Sequence, residues 1–127
     1  MYEFTIEEFT KYVVRLLEPL GNVTLENPDI QETFPLAVVN NPMQSINKVE
    51  NNVPIYKRFS INIEWWTNSK YDSMKLYEET NKLLRAYNFV QKGTQTDMYD
   101  EITKKHRFGG RYDVNYNGLT NSFERIM

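Results

Sequence analysis

The chain has 127 residues, a formal net charge of −2 and no cysteine. That length makes a single domain with its own core the expectation, and the missing cysteines exclude disulfides and any thiolate metal site. The near-neutral charge gives no global attraction to nucleic acid, no apolar run approaches a membrane span, and the first residues lack the basic-then-apolar order of a signal peptide, so a soluble protein made in a cytoplasm is expected.

Thr5-Ile6-Glu7-Glu8 has the form of a capping box, with Thr5 as N-cap and Glu8 reaching back. Ile6, Phe9, Val13, Leu16, Leu17 and Leu20 then recur at helical spacing until Pro19 and Gly21. A first amphipathic helix is predicted from about Ile6 to about Glu18. Gly21 to Glu32 is polar and holds the turn signal Asn27-Pro28-Asp29. Phe34 to Asn40 is short, apolar and partly β-branched, so it reads as a strand ended by Asn40-Asn41-Pro42.

Met43 to Val53 has no clearly apolar face. It reads as a solvated edge strand or one arm of a long hairpin. With so few core residues, the arm at about 41–54 is expected to be flexible or held by a partner chain. Pro54 is taken as the break before the next strand.

The best strand in the chain is Ile55 to Trp66. Ile55, Phe59, Ile61, Ile63 and Trp65 share one side, with Lys57 the only polar member. Tyr56, Arg58, Ser60, Asn62, Glu64 and Trp66 share the other. A second helix is predicted over about Ser69 to Tyr87, capped by Ser69, with Tyr71, Met74, Tyr77, Leu84 and Tyr87 as its stripe. Asn88 to Gly93 reads as a short strand and Thr94 to Tyr99 as a loop. Ile102, Phe108, Tyr112, Val114 and Tyr116 share one parity of a further strand, and Gly109-Gly110 suggests a bulge within it. Asn117-Gly118 is a turn signal, and the tail from Leu119 has no clear period.

Two helices and four or five mostly antiparallel strands make an α+β two-layer sandwich with both helices on one face of the sheet. The other sheet face, with Arg58, Asn62, Glu64 and Trp66, is expected to lack partners within the chain. Nine Tyr, seven Phe and two Trp suit contacts between proteins, although a tyrosine-rich core edge gives the same count.

Catalytic patterns are weak. Gly109-Gly110 lacks the spacing and following helix of a phosphate loop, and a serine triad would have to use His106, the only histidine. Asp97, Asp100, Glu101 and His106 include oxygen and imidazole donors of the kind metals take, but a solvated acidic loop next to a basic strand is the favoured reading. Lys104, Lys105, His106, Arg107 and Arg111 interleave with Phe108, Tyr112 and Tyr116, a composition seen in single-strand nucleic-acid platforms. Alternation splits the cluster between two faces, which favours a solvated or ion-pairing patch.

The long strand from Arg58 to Trp66, the helix beginning Tyr71-Asp72-Ser73-Met74-Lys75-Leu76, and the later run from Tyr99 through His106-Arg107-Phe108-Gly109-Gly110-Arg111-Tyr112 together resemble the small tail-completion or minor-capsid proteins of long-tailed phages and prophages, tail terminators in particular. The resemblance covers about Pro35 to Arg125, and the first helix agrees in position only. It implies a single tail-terminator-like domain and a structural protein of the virion tail or neck, assembled in the bacterial host cytoplasm. Terminators form a ring, usually a hexamer, that caps the tail tube and presents the docking surface for the head connector. The implied partners are further copies of the chain, the tail tube protein and the head–tail connector or stopper. No enzyme activity, cofactor, metal, membrane or specific nucleic acid is implied, with DNA passing through the ring lumen. Tyr56, Arg58, Trp66, Arg107, Arg111, Ile46 and Lys48 are the candidate subunit or tube contacts. Head–tail joining proteins are similar enough to stand as the alternative, and a single-strand nucleic-acid module is a further one.

Overall fold

The computed structural model describes residues 3–29, 32–94 and 97–126. Its elements are α1 (Ile6–Leu17), β1 (Asn22–Thr24), β2 (Leu36–Glu50), β3 (Val53–Thr67), α2 (Lys70–Ala86), β4 (Val90–Thr94), β5 (Met98–Asp100), β6 (Lys105–Asn117) and β7 (Ser122–Glu124). The fold is α+β, with two helices on one face of an open mixed sheet. The sheet has seven strands, rather than the four or five expected, in the order β1-β2-β3-β6-β4. β5, β4 and β7 pair successive stretches of β6 along the edge that β3 leaves free. Three short segments thus build one composite strand position.

α1 starts as its sequence dictates. Thr5 accepts from the Glu8 amide and the Glu8 side chain reaches back to the Thr5 amide, which satisfies two otherwise orphan donors. Its inward stripe is Phe9, Val13 and Leu17, all fully buried. Phe9 stacks on Phe59 of β3 with ring centroids 4.5 Å apart. Each such side chain contributes about 1.5–3 kcal/mol through burial.

β3 is the central strand, and its predicted apolar face is the core. Ile55, Phe59, Ile61, Ile63 and Trp65 are buried. Lys57 is buried with them at 2 % exposure. Its Nζ donates to the Phe4 carbonyl at 2.9 Å and lies 3.7 Å from the Glu3 carboxylate. A buried cation persists only with such partners, and here the segment before α1 supplies them.

Several elements depart from expectation for identifiable reasons. β1 arises in the predicted polar loop because it pairs in parallel with Leu36–Val38, a long-range contact that local composition does not encode. β2 does not stop at Asn40. It passes through Pro42 by a register shift between Asn40 and Met43, with Asn41 at φ 50. Proline is tolerated there because this stretch is an edge with no neighbour beyond β1 among the described residues. Pro54 lies inside β3, opposite Val49. The reversal is instead at Asn51-Asn52, with φ 52 and 64, the left-handed values of a type I′ hairpin turn. The arm is therefore held by backbone pairing to β3 rather than left without support.

Gly109-Gly110 is not a bulge against β3, since the pairing runs unbroken from Glu64↔Gly109 to Ile63↔Gly110. The glycines serve close approach. A Cβ on Gly109 would sit 2.1 Å from the Ile63 carbonyl oxygen, and one on Gly110 would sit 2.4 Å from that of Gly93. Ile102 does not join the core; it is 78 % exposed in the turn before β6. The tail forms β7, whose Phe123 packs against Phe4, Tyr12 and Tyr116.

Candidate interaction surfaces

α2 sits on the sheet through a polar seam. Its buried positions are Ser73, Tyr77, Thr80, Asn81 and Leu84, while Tyr71 and Tyr87 of the predicted stripe are exposed. Trp65 Nε1 donates to Thr80 Oγ1 at 2.8 Å. The Tyr112 hydroxyl donates to Asn81 Oδ1, and Gln91 Nε2 donates to the Tyr77 hydroxyl. Ser73 Oγ donates to the His106 carbonyl at 3.1 Å. Burial pushes the Tyr112 hydroxyl pKa well up, with nearby Tyr77 adding to it, so Tyr112 stays protonated and donating. The seam contains hydroxyls and amides in hydrogen-bonded pairs, which position the helix.

The outer sheet face is built by the even-numbered residues of β3 and the odd-numbered residues of β6, directly opposed in register. It is more self-contained than its sequence suggests. Glu64 is 4 % exposed and Trp66 2 %. Arg107 grips Glu64 with two donors, Nε to Oε1 at 3.0 Å and Nη2 to Oε2 at 3.3 Å. Trp66 Nε1 donates to the same Oε1 at 2.7 Å, and the Arg107 guanidinium lies 4.7 Å from the Trp66 ring. Three donors on one carboxylate plus a cation–π stack compensate the desolvation of Glu64. The expectation that this face lacks intramolecular partners is thus corrected, and Trp66 is not an exposed contact residue in the monomer.

The remaining candidate residues spread over the same face and its edge. Arg58 Nε donates to Asn115 Oδ1 at 3.3 Å. Arg111 Nε lies 3.7 Å from the Asp113 carboxylate, and Arg111 packs along the Met43 sulfur at 3.8 Å. Tyr56 is half-buried beneath Lys48, whose Nζ is 5.7 Å from the ring. Lys105 covers Phe34 at 4.8 Å. The structure therefore brings Arg107 to Trp66, Lys48 to Tyr56, and Arg111 to the arm, but it does not gather the basic residues into one free patch.

Of the acidic loop residues, Asp100 is committed to its own turn. Its Oδ2 accepts from the Thr103 amide and hydroxyl, both at 2.8 Å, and the amide bond in particular holds its pKa below the usual carboxylate value. His106 meets Tyr99 edge-on with ring centroids 5.1 Å apart. Among the described residues no group of three or more acidic or imidazole side chains converges.

The arm is the most open surface. Every residue from Asn41 to Glu50 is exposed, including Met43, Ile46 and Val49, each near half exposure. Met43 and Val49 join the sequence candidates Ile46 and Lys48 on this surface. Their spacing of three in a polar run was the available signal. A groove of about 710 Å³ lies beside α1 and β1, with Val14, Val23 and Leu25 as its apolar lining, and its rim carries the exposed Glu7–Lys11 pair at 3.0 Å. No protein-family model matches the chain, and no curated protein matches it.

Proposed function

We propose that the protein is a structural component of a phage or phage-like tail, a ring-forming terminator that caps the tail tube and offers the docking surface for the head. The observation that carries this reading is the inequality of the two sheet edges. One is a long, wholly exposed arm on β2; the other is assembled from β5, β4 and β7. Closed rings need two different surfaces that meet around an axis, and such a chain possesses them. Arg58, Arg111, Tyr56, Ile46 and Lys48 then supply contacts to the neighbouring subunit or the tube, with Arg107 and Trp66 as the rigid support beneath. The resemblance in element order agrees with this reading.

The test is to mix the purified protein with uncapped tail tubes and image them. Ring-shaped density at one end of the tubes, with halted elongation, is expected. Tubes that keep elongating without bound protein exclude the terminator role. Binding to isolated heads or portals but not to tubes would instead favour a head–tail joining protein. A single-strand nucleic-acid role has less support, because Lys105 and Arg107 are already engaged with Phe34, Glu64 and Trp66. Salt-sensitive binding to single-stranded DNA would revive it.

A further inference from the structure

We infer that the β2 arm pairs with the same arm of a second copy, antiparallel and centred on Ile46. This goes beyond the tail reading and does not depend on it.

Three observations converge. First, beyond Val38 the outer edge of β2 has no strand partner among the described residues, because β1 pairs only Leu36 to Val38. Its backbone donors and acceptors are therefore open to another strand. Second, Met43, Ile46 and Val49 are 53 %, 50 % and 53 % exposed, and they are spaced symmetrically about Ile46. An antiparallel pairing centred there sets Ile46 opposite Ile46 of the second copy and Met43 opposite its Val49. Directly opposed residues share a face, which holds for Met43 and Val49 but not for Gln44 and Lys48, set opposite Phe59 and Tyr56 by the irregularity at Lys48. Met43 and Val49 both stand on the outer face, opposite Ser60 and Pro54 of β3. Third, the arm carries one cation and one anion, Lys48 and Glu50, so two copies meet without net repulsion.

Edge guards are present but leave this stretch usable. Pro42 lies outside the Met43–Val49 span. The irregularities at Ile46/Lys48 and Lys48/Val49 limit the ladder to a few bonds, which makes the contact small and of the weak, transient class. The pairing is isologous, one patch meeting itself across a twofold axis. It is thus separate from the heterologous contacts a ring requires, and it fills the strand position that β1 vacates after Thr24.

The absence of native cysteines makes the register directly testable. Opposed residues in an antiparallel pair have Cα atoms about 4.5–5.5 Å apart, within disulfide reach. Under mild oxidation Ile46→Cys alone is expected to form covalent dimers. Met43→Cys and Val49→Cys are each expected to stay largely monomeric alone but to crosslink when mixed. Ile46→Lys places like charges opposite each other and is expected to weaken self-association by about tenfold or more in sedimentation runs, with an unchanged circular dichroism spectrum because the site is half exposed. Two results overturn the inference: a wild-type chain that stays monomeric at the highest concentration reached while Ile46→Cys fails to crosslink, or Met43→Cys that crosslinks alone as efficiently as Ile46→Cys.

Discussion

The two faces of β3 reach the same burial by different physics. On the inner face Phe59, Ile61, Ile63 and Trp65 lie beneath the helices. Their burial follows from apolar area removed from water. On the outer face no helix stands above Glu64 and Trp66, yet both are under 5 % exposed. There the cover is made by side chains of the sheet itself, with Arg107 lying over Trp66 and both bound to Glu64. The difference teaches that an uncovered sheet face is not automatically a free one. It can be closed locally and leave assembly to its edge.

The sharpest way to break this comparison is Trp66→Ala. If the outer cluster is a real second core, urea unfolding will show a loss of about 3–5 kcal/mol, the range for deleting a buried large aromatic. A loss below 1 kcal/mol would show that the outer face is only a surface decoration. Ile61→Ala on the inner face is expected to cost about 2–5 kcal/mol, so the two faces should prove comparable. Next comes Glu64→Gln, which keeps the shape but removes the charge that Arg107 and Trp66 share. A loss of about 1–3 kcal/mol is expected, and it should shrink in high salt because the Arg107 side chain is 27 % exposed.

The partly or fully buried tyrosines, two of them in the α2 seam, add a pH dependence. The hydroxyl pKa values of Tyr112, Tyr77, Tyr116 and Tyr12 are all raised, chiefly by burial. A raised acid pKa means that the unfolded chain loses its protons first as pH rises. Stability is then complete below the ordinary tyrosine value of 10.0 and falls as pH climbs above it. Thermal unfolding at pH 11 should show a lower midpoint than at pH 8, and Tyr112→Phe should flatten that slope while costing about 1–3 kcal/mol at neutral pH by orphaning Asn81. The smallest effect belongs to the arm. Ile46→Ala is expected to change stability by less than about 0.5 kcal/mol, and a larger loss would mean that the arm is part of the folded core.

Much of the architecture was legible locally. The Thr5 capping box, the α1 stripe, the alternation of β3 and the start of α2 at Ser69 all rest on interactions within a few residues. β1 and β7 were not legible, since each is three residues long and exists only by pairing with a strand set elsewhere. The predicted α2 stripe included Tyr71 and Tyr87, yet the buried face holds Ser73, Thr80 and Asn81. A hydrophobic period cannot find a face whose partners are hydrogen-bonding groups on other strands. Of the candidate contacts, Ile46 and Lys48 lie on the exposed arm, whereas Trp66 is closed in by Arg107.

Local sequence therefore settles which side of β3 faces the helices, because alternation is a property of strand geometry and needs no partner. It also settles where the helices begin, because a cap is closed within four residues. The fate of the polar and mixed positions is decided only in three dimensions. Glu64 meets Arg107 from 43 positions away, Asn81 meets Tyr112 from 31 away, and the arm owes its order to backbone bonds that any side chain could accompany. Burial of a polar group depends on whether a distant chemical partner arrives, and no local pattern carries that information.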